Sequence, residues 1–152
     1  MTLGSSVTTT AGTVANAMQP WLAWTPTLSW TLNGLTNNSK YTRIGETVYF
    51  NLNVVSTGTI VPSGNFTFTL PIQPIQGGGL SGSFFIASTN YPITAAYNTI
   101  NTTATVYVPT ATSTAANTAL TALPLTSTVN PLGTSTIALN RTINISGFYE
   151  VA

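Results

Sequence analysis

The chain has 152 residues, of which three are basic (Lys40, Arg43, Arg141), two are acidic (Glu46, Glu150) and none is His, Cys or Asp. That inventory withholds the side chains behind most acid–base, nucleophilic and metal chemistry. It leaves no basic footprint for nucleic acid or anionic membrane, and no disulfide framework.

The length fits one domain with a real core, and a hydrophobic content of 43% separates it from disordered chains. Polarity comes from Thr, Ser and Asn. Thr, Val, Ile and aromatics favour strands, while Asn, Gly, Ser and Pro favour turns. The expected fold is therefore all-β. No apolar run approaches the roughly 18 residues that span a bilayer as a helix.

Residues 1–20 read as an extended N-terminal arm, small and polar, ending in Gln19-Pro20. It has room for a short helix over Val14–Met18 and lacks the basic start and apolar centre of a signal peptide. It is either a frayed terminus or a docking arm that orders on a neighbouring subunit. The domain proper, 21–152, opens on Trp21-Leu-Ala-Trp24 and a first strand over Thr25–Trp30. Pro26 places that strand at an edge or bulge. Asn33-Gly34 is a turn. Lys40–Ile44 is a short strand, Gly45-Glu46 turns the chain, and Thr47–Val55 alternates strictly with Val48, Phe50, Leu52 and Val54 on one face. Asn65–Leu70 repeats the pattern with Phe66, Phe68 and Leu70. Pro71–Gly79 (PIQPIQGGG) reads as a loop.

Strands follow at Ser83–Ser88, Ile93–Ile100 and Thr103–Val108, then a Thr/Ala-rich connection over Thr110–Thr118. Ala119–Leu125 fits a short strand or a helical turn, and Pro131-Leu132-Gly133 a turn. The last strand, Thr136–Tyr149, aligns Ile137, Leu139, Arg141, Ile143, Ile145, Gly147 and Tyr149. Arg141 interrupts that apolar face, so it is expected near a strand end or beside a carboxylate. Short strands between regular turns indicate an antiparallel β-sandwich, jelly-roll-like, or a barrel.

Glu46 and Glu150 are the only side-chain carboxylates, where a glycosidase needs a spaced pair. Their places, in a turn and at a strand end, fit solvated residues better. With backbone and Asn oxygens they would make only a weak Ca²⁺ site. Neither a cofactor nor a metal is expected. Trp21, Trp24, Trp30, Tyr41, Tyr49 and Tyr91 would suit a sugar-binding platform, but aromatics more often fill cores and interfaces. Trp21, Trp24 and Trp30, beside the arm, are the expected subunit contact. Arg43, Glu46, Arg141 and Glu150 are the candidate ion-pair residues. Five Asn-x-Ser/Thr sequons, at Asn37, Asn65, Asn101, Asn140 and Asn144, are what such a composition produces by chance.

Trp24-Thr-Pro-Thr-Leu28, followed by Tyr41-Thr-Arg-Ile-Gly-Glu-Thr-Val-Tyr-Phe50, resembles the "W-T-P-T-L … Y-x-x-I-G-x-x-V-x-F" pattern of small β-sandwich domains in tailed-bacteriophage virion proteins. Asn65–Pro71 (NFTFTLP) is similar to that family's "S-x-x-F-x-L-P" strand, and Ile145–Glu150 (ISGFYE) to its closing "I-S-G-x-Y-E". The resemblance runs in order over Trp24–Glu150, and the order and spacing carry it more than any single motif. It implies a non-enzymatic virion part, usually trimeric, with no catalytic residues to transfer.

Near-zero net charge favours association, and strand edges without lysines favour pairing between copies. The expectation is a capsid decoration (cement) or head-fibre protein, made in the host cytoplasm and carried on the virion exterior. It would be a homo-oligomer, as a trimer, bound to the major capsid protein or another virion protein. The alternative is a tail-fibre tip or receptor-binding module for host glycans.

Overall fold

The structure, a computed structural model, describes residues 7–9, 12–14, 20–58, 60–61, 64–86, 89–110, 119–122, 124–125 and 141–152. The expected helix over Val14–Met18, the connection after Thr110, the turn at Pro131-Leu132-Gly133 and the first residues of the expected last strand lie outside them, apart from Val14 itself. In chain order the strands are β1 (Val7–Thr9), β2 (Gly12–Val14), β3 (Leu22–Ala23), β4 (Thr31–Leu32), β5 (Leu35–Asn37), β6 (Lys40–Ile44), β7 (Thr47–Ser56), β8 (Ile60–Val61), β9 (Gly64–Asn65), β10 (Thr67–Thr69), β11 (Gly78–Ile86), β12 (Thr89–Tyr97), β13 (Thr103–Thr110), β14 (Ala119–Ala122), β15 (Pro124–Leu125) and β16 (Arg141–Glu150).

The alternation in Thr47–Ser56 makes β7 the backbone of the fold. It pairs with β6 on one flank and, over its whole length, with β16 on the other. The β6–β7 hairpin turns at Gly45, whose φ of 61° lies in the left-handed region that glycine adopts without Cβ penalty. β16 continues to β11, β11 to β12, β12 to β13 and β13 to β10, all antiparallel. One ten-stranded sheet results, in the order β10-β13-β12-β11-β16-β7-β6-β3, with β14 beside β13 and β5 beside β7. It curls into a half-barrel. The expectation of two packed layers meets a sheet without a break, because β7 and β16 each carry ladder partners on both edges.

One segment touches both flanks of this sheet. Leu22 and Ala23 pair with Tyr41 and Lys40 of β6, and Trp24 N donates to Ser39 O at 3.0 Å. A few residues on, Leu28 bridges Phe68 of β10, Ser29 N donates to Thr67 O and Thr69 N donates to Thr27 O, both at 3.0 Å. Pro26 falls between the two attachments, where no ladder needs its missing N–H. The strand expected over Thr25–Trp30 is thus a seam that joins the sheet's edges.

The core lies inside the curl. Val48, Phe50, Leu52 and Val54 of β7 meet Ile143, Ile145 and Tyr149 of β16, Leu80 and Phe84 of β11, and Phe66, Phe68 and Leu70 around β10. Trp24 meets Phe50 edge-on at 5.8 Å, and Phe50 meets Tyr149 at 5.8 Å. Such contacts add about 0.5–1.5 kcal/mol each beyond the burial of area. A Cβ on Gly82 would overlap Asn144 O on the neighbouring strand, so the β11–β16 approach depends on that glycine.

Several boundaries differ from expectation. Gly78 and Gly79 belong to β11 rather than to the loop: Gly78 pairs with Tyr97, whose hydroxyl occupies the place of a Cβ. β12 starts at Thr89 and holds Pro92 in mid-strand. It meets β13 only over Thr94–Tyr97, so the proline falls where that edge has no β13 partner. Of the expected element Ala119–Leu125, the described residues 119–122 and 124–125 form strands β14 and β15 rather than a helical turn.

Candidate functional site

The three tryptophans separate. Trp24 and Trp30 are 8% and 4% exposed and belong to the core, so their rings offer no surface to a capsid, a subunit or a sugar. Trp21 is 51% exposed, with the Lys40 ammonium 5.3 Å from its ring centroid. Of the other aromatics proposed for a platform, Tyr41 packs against the core, and Tyr49 stands on the outer face against Phe148 at 5.8 Å. Tyr91 lies on β12 opposite Phe84. The six rings do not converge.

Apart from Lys40, which lies opposite Asn51 in mid-sheet, the charged side chains split between the two ends of the sheet. Arg43, Glu46 and Glu150 share one end: Val151 N donates to Glu46 O at 2.7 Å, and Glu150 pairs with Thr47. The Arg43 guanidinium donates to main-chain oxygens, Nε to Gly45 O at 2.7 Å and Nη2 to Ala152 O at 2.8 Å. Arg141 is at the opposite end, the first residue of β16 and opposite Ser56. Nine residue steps along β16 separate it from Glu150, about 30 Å at the usual rise. It is therefore a strand-end arginine, away from both glutamates. It is 1% exposed, and Nη1 donates to Gly58 O at 3.5 Å. Burial lowers its pKa below the usual arginine range.

A groove crosses the outer face of β16, β11, β12 and β13. Its first hollow, about 430 Å³, opens where β11 and β16 part. Their ladder stops at Ser81↔Ser146, so Gly78–Leu80 and Gly147–Tyr149 face each other without ladder pairing. The second, about 310 Å³, shares Gly79 and Leu80 with the first. The third, about 270 Å³, shares Ala96 and Tyr107 with the second. The floor is low because Gly79 and Ala96, paired across β11 and β12, are small. Phe148, 66% exposed, lines one end, and Tyr107 lines the middle and far end. Glu150 is the one charged side chain on any of the three hollows.

Two phenols border this region from the core side. Tyr149 donates to Ile72 O at 2.9 Å and accepts from Ile72 N at 3.2 Å. Burial, partly offset by the Ile72 hydrogen bond, raises its pKa well above the ordinary 10.0, and Tyr97 and Tyr41 add to the rise. Tyr97, with its ring 5.6 Å from that of Tyr149, is also raised by burial. Both are neutral hydroxyls at physiological pH. The arrangement can hold a ligand through hydroxyls, amides and ring faces.

Part of this groove is legible in the sequence. Alternation in β16 puts Phe148 on the face opposite Ile145 and Tyr149, among Ser146 and Glu150. Gly79, Ala96 and Tyr107 come together only through the strand order. Comparison with protein-family models, curated proteins and solved structures returned no match.

Proposed function

We propose that this chain is a non-enzymatic structural protein of a tailed-phage virion, a capsid decoration or head-fibre protein on the particle exterior that reinforces capsid subunits as a homotrimer. The observation that supports it most is where the resemblance motifs fall. Trp24–Leu28 lies in the seam joining the sheet's flanks, and Tyr41–Phe50 is the β6–β7 hairpin. Ile145–Glu150 pairs with that hairpin, and Asn65–Leu70 supplies the other flank. Segments far apart in sequence thus make one framework, as motifs selected for architecture would. In this reading the two halves of the curled sheet are the layers of the family's sandwich.

The surface suits assembly. Trp21, Leu22, Leu35 and Tyr49 are exposed on a chain of net charge +1. Contacts made by such residues are apolar and hydrogen-bonded, and salt screens them little. Among the three tryptophans the contact role passes to Trp21. Light scattering of the purified chain at tens of micromolar tests the oligomer: a trimer is expected, and a stable monomer contradicts the reading.

A further inference from the structure

We propose that the outer-face groove binds a neutral oligosaccharide, with Phe148 and Tyr107 as packing faces and Gly79 and Ala96 as the floor. This is independent of the chain's place on a virion.

Shape comes first. The hollows are contiguous and cross four strands, a run of about 15 Å at the usual inter-strand spacing. Each is near the lower end of small-molecule sites, roughly 300 Å³, so the groove suits a chain of small rings better than one compact ligand. Pyranose rings present apolar C–H faces that pack on aromatic rings, and hydroxyls around their edges. The groove offers both kinds of partner. Phe148 supplies exposed ring surface, while Ser81, Ser146 and Thr105 line the hollows with hydroxyls.

Charge selects among ligands. No cation lines the groove and Glu150 borders it, so phosphorylated or sialylated chains meet repulsion without compensation. An extended peptide is a poor fit as an added strand. Gly79 and Ala96 already pair with each other across β11 and β12, and the unpaired fork is only Gly78–Leu80 long on the β11 side.

Gly79 provides the test. A Cβ built there meets nothing closer than Ala95 O at 3.8 Å, so the backbone accepts a side chain at this position, and a bulky one set in the groove floor would compete with a ligand. The probes are maltotriose, cellotriose and chitotriose, titrated up to roughly 10 mM and followed by NMR shifts, with 3′-sialyllactose as the anionic comparison. At least one neutral trisaccharide is expected to bind saturably. Gly79→Ile should weaken it at least about tenfold with the thermal midpoint retained, and Phe148→Ala, which removes an exposed ring, should also weaken it. The proposal is overturned if none of the three binds the wild-type chain, or if 3′-sialyllactose binds as well as they do. It is also overturned if affinity survives Gly79→Ile; should that variant not fold, retained affinity in Phe148→Ala overturns it.

Discussion

Replacing Tyr149 with Phe removes one oxygen from the middle of the core and should change stability in a pH-dependent way. The hydroxyl makes both of its hydrogen bonds to Ile72, at 2.9 and 3.2 Å, and the residue is 3% exposed. Phe keeps the ring contacts with Phe50 and Tyr97 but strands the Ile72 N–H and C=O, a loss of about 1–2 kcal/mol at pH 7. Burial raises the folded phenol's pKa above the ordinary 10.0, so the unfolded chain releases this proton first. The stabilisation is therefore whole below pH 10 and is lost as pH rises from there towards the folded pKa. By pH 11, roughly 1.4 kcal/mol of the wild-type advantage is gone, and the two proteins converge. Urea unfolding of both at pH 7 and pH 11 measures this. An equal gap at both pH values, or no gap at pH 7, refutes the assigned role of the Tyr149–Ile72 bonds.

Spectrophotometric titration at alkaline pH should show late-ionising phenols in the wild type, with one lost in Tyr149→Phe and another in Tyr97→Phe. Trp24→Ala should cost about 3–5 kcal/mol in urea unfolding, while Trp21→Ala should stay within about 0.5 kcal/mol for the isolated chain and weaken assembly, as read by light scattering. Gly82→Ala should prevent or severely destabilise folding, since its Cβ overlaps Asn144 O; circular dichroism and the thermal midpoint read it. Gly45→Ala should fold at a cost of about 1–2 kcal/mol, because its φ is 61° while nothing lies within 4 Å of the new Cβ.

The parts legible in the sequence are those set by local rules. Period-two alternation gave away β7 and the inner face of β16, and the turns at Gly34 and Gly45 do adopt the positive φ that their dipeptides suggest. The inward turn of Trp24 and Trp30 is not legible, because the seam is not a regular strand and alternation cannot say which way its rings turn. Gly78 and Gly79 read as loop because a run of three glycines usually is one; cross-strand packing by Tyr97 overrides that preference. The groove was out of reach for a different reason. It depends on β11 lying between β16 and β12, a non-local order that no short motif encodes.

The proposed attachment to a virion is tested most directly by co-sedimentation of the purified chain with tailed-phage capsids at low salt and at about 0.5 M salt, where charges farther apart than a few ångströms are screened. Saturable co-sedimentation is expected, little changed by salt and reduced by Trp21→Ala. A chain that stays in the supernatant, or that salt releases, would contradict it.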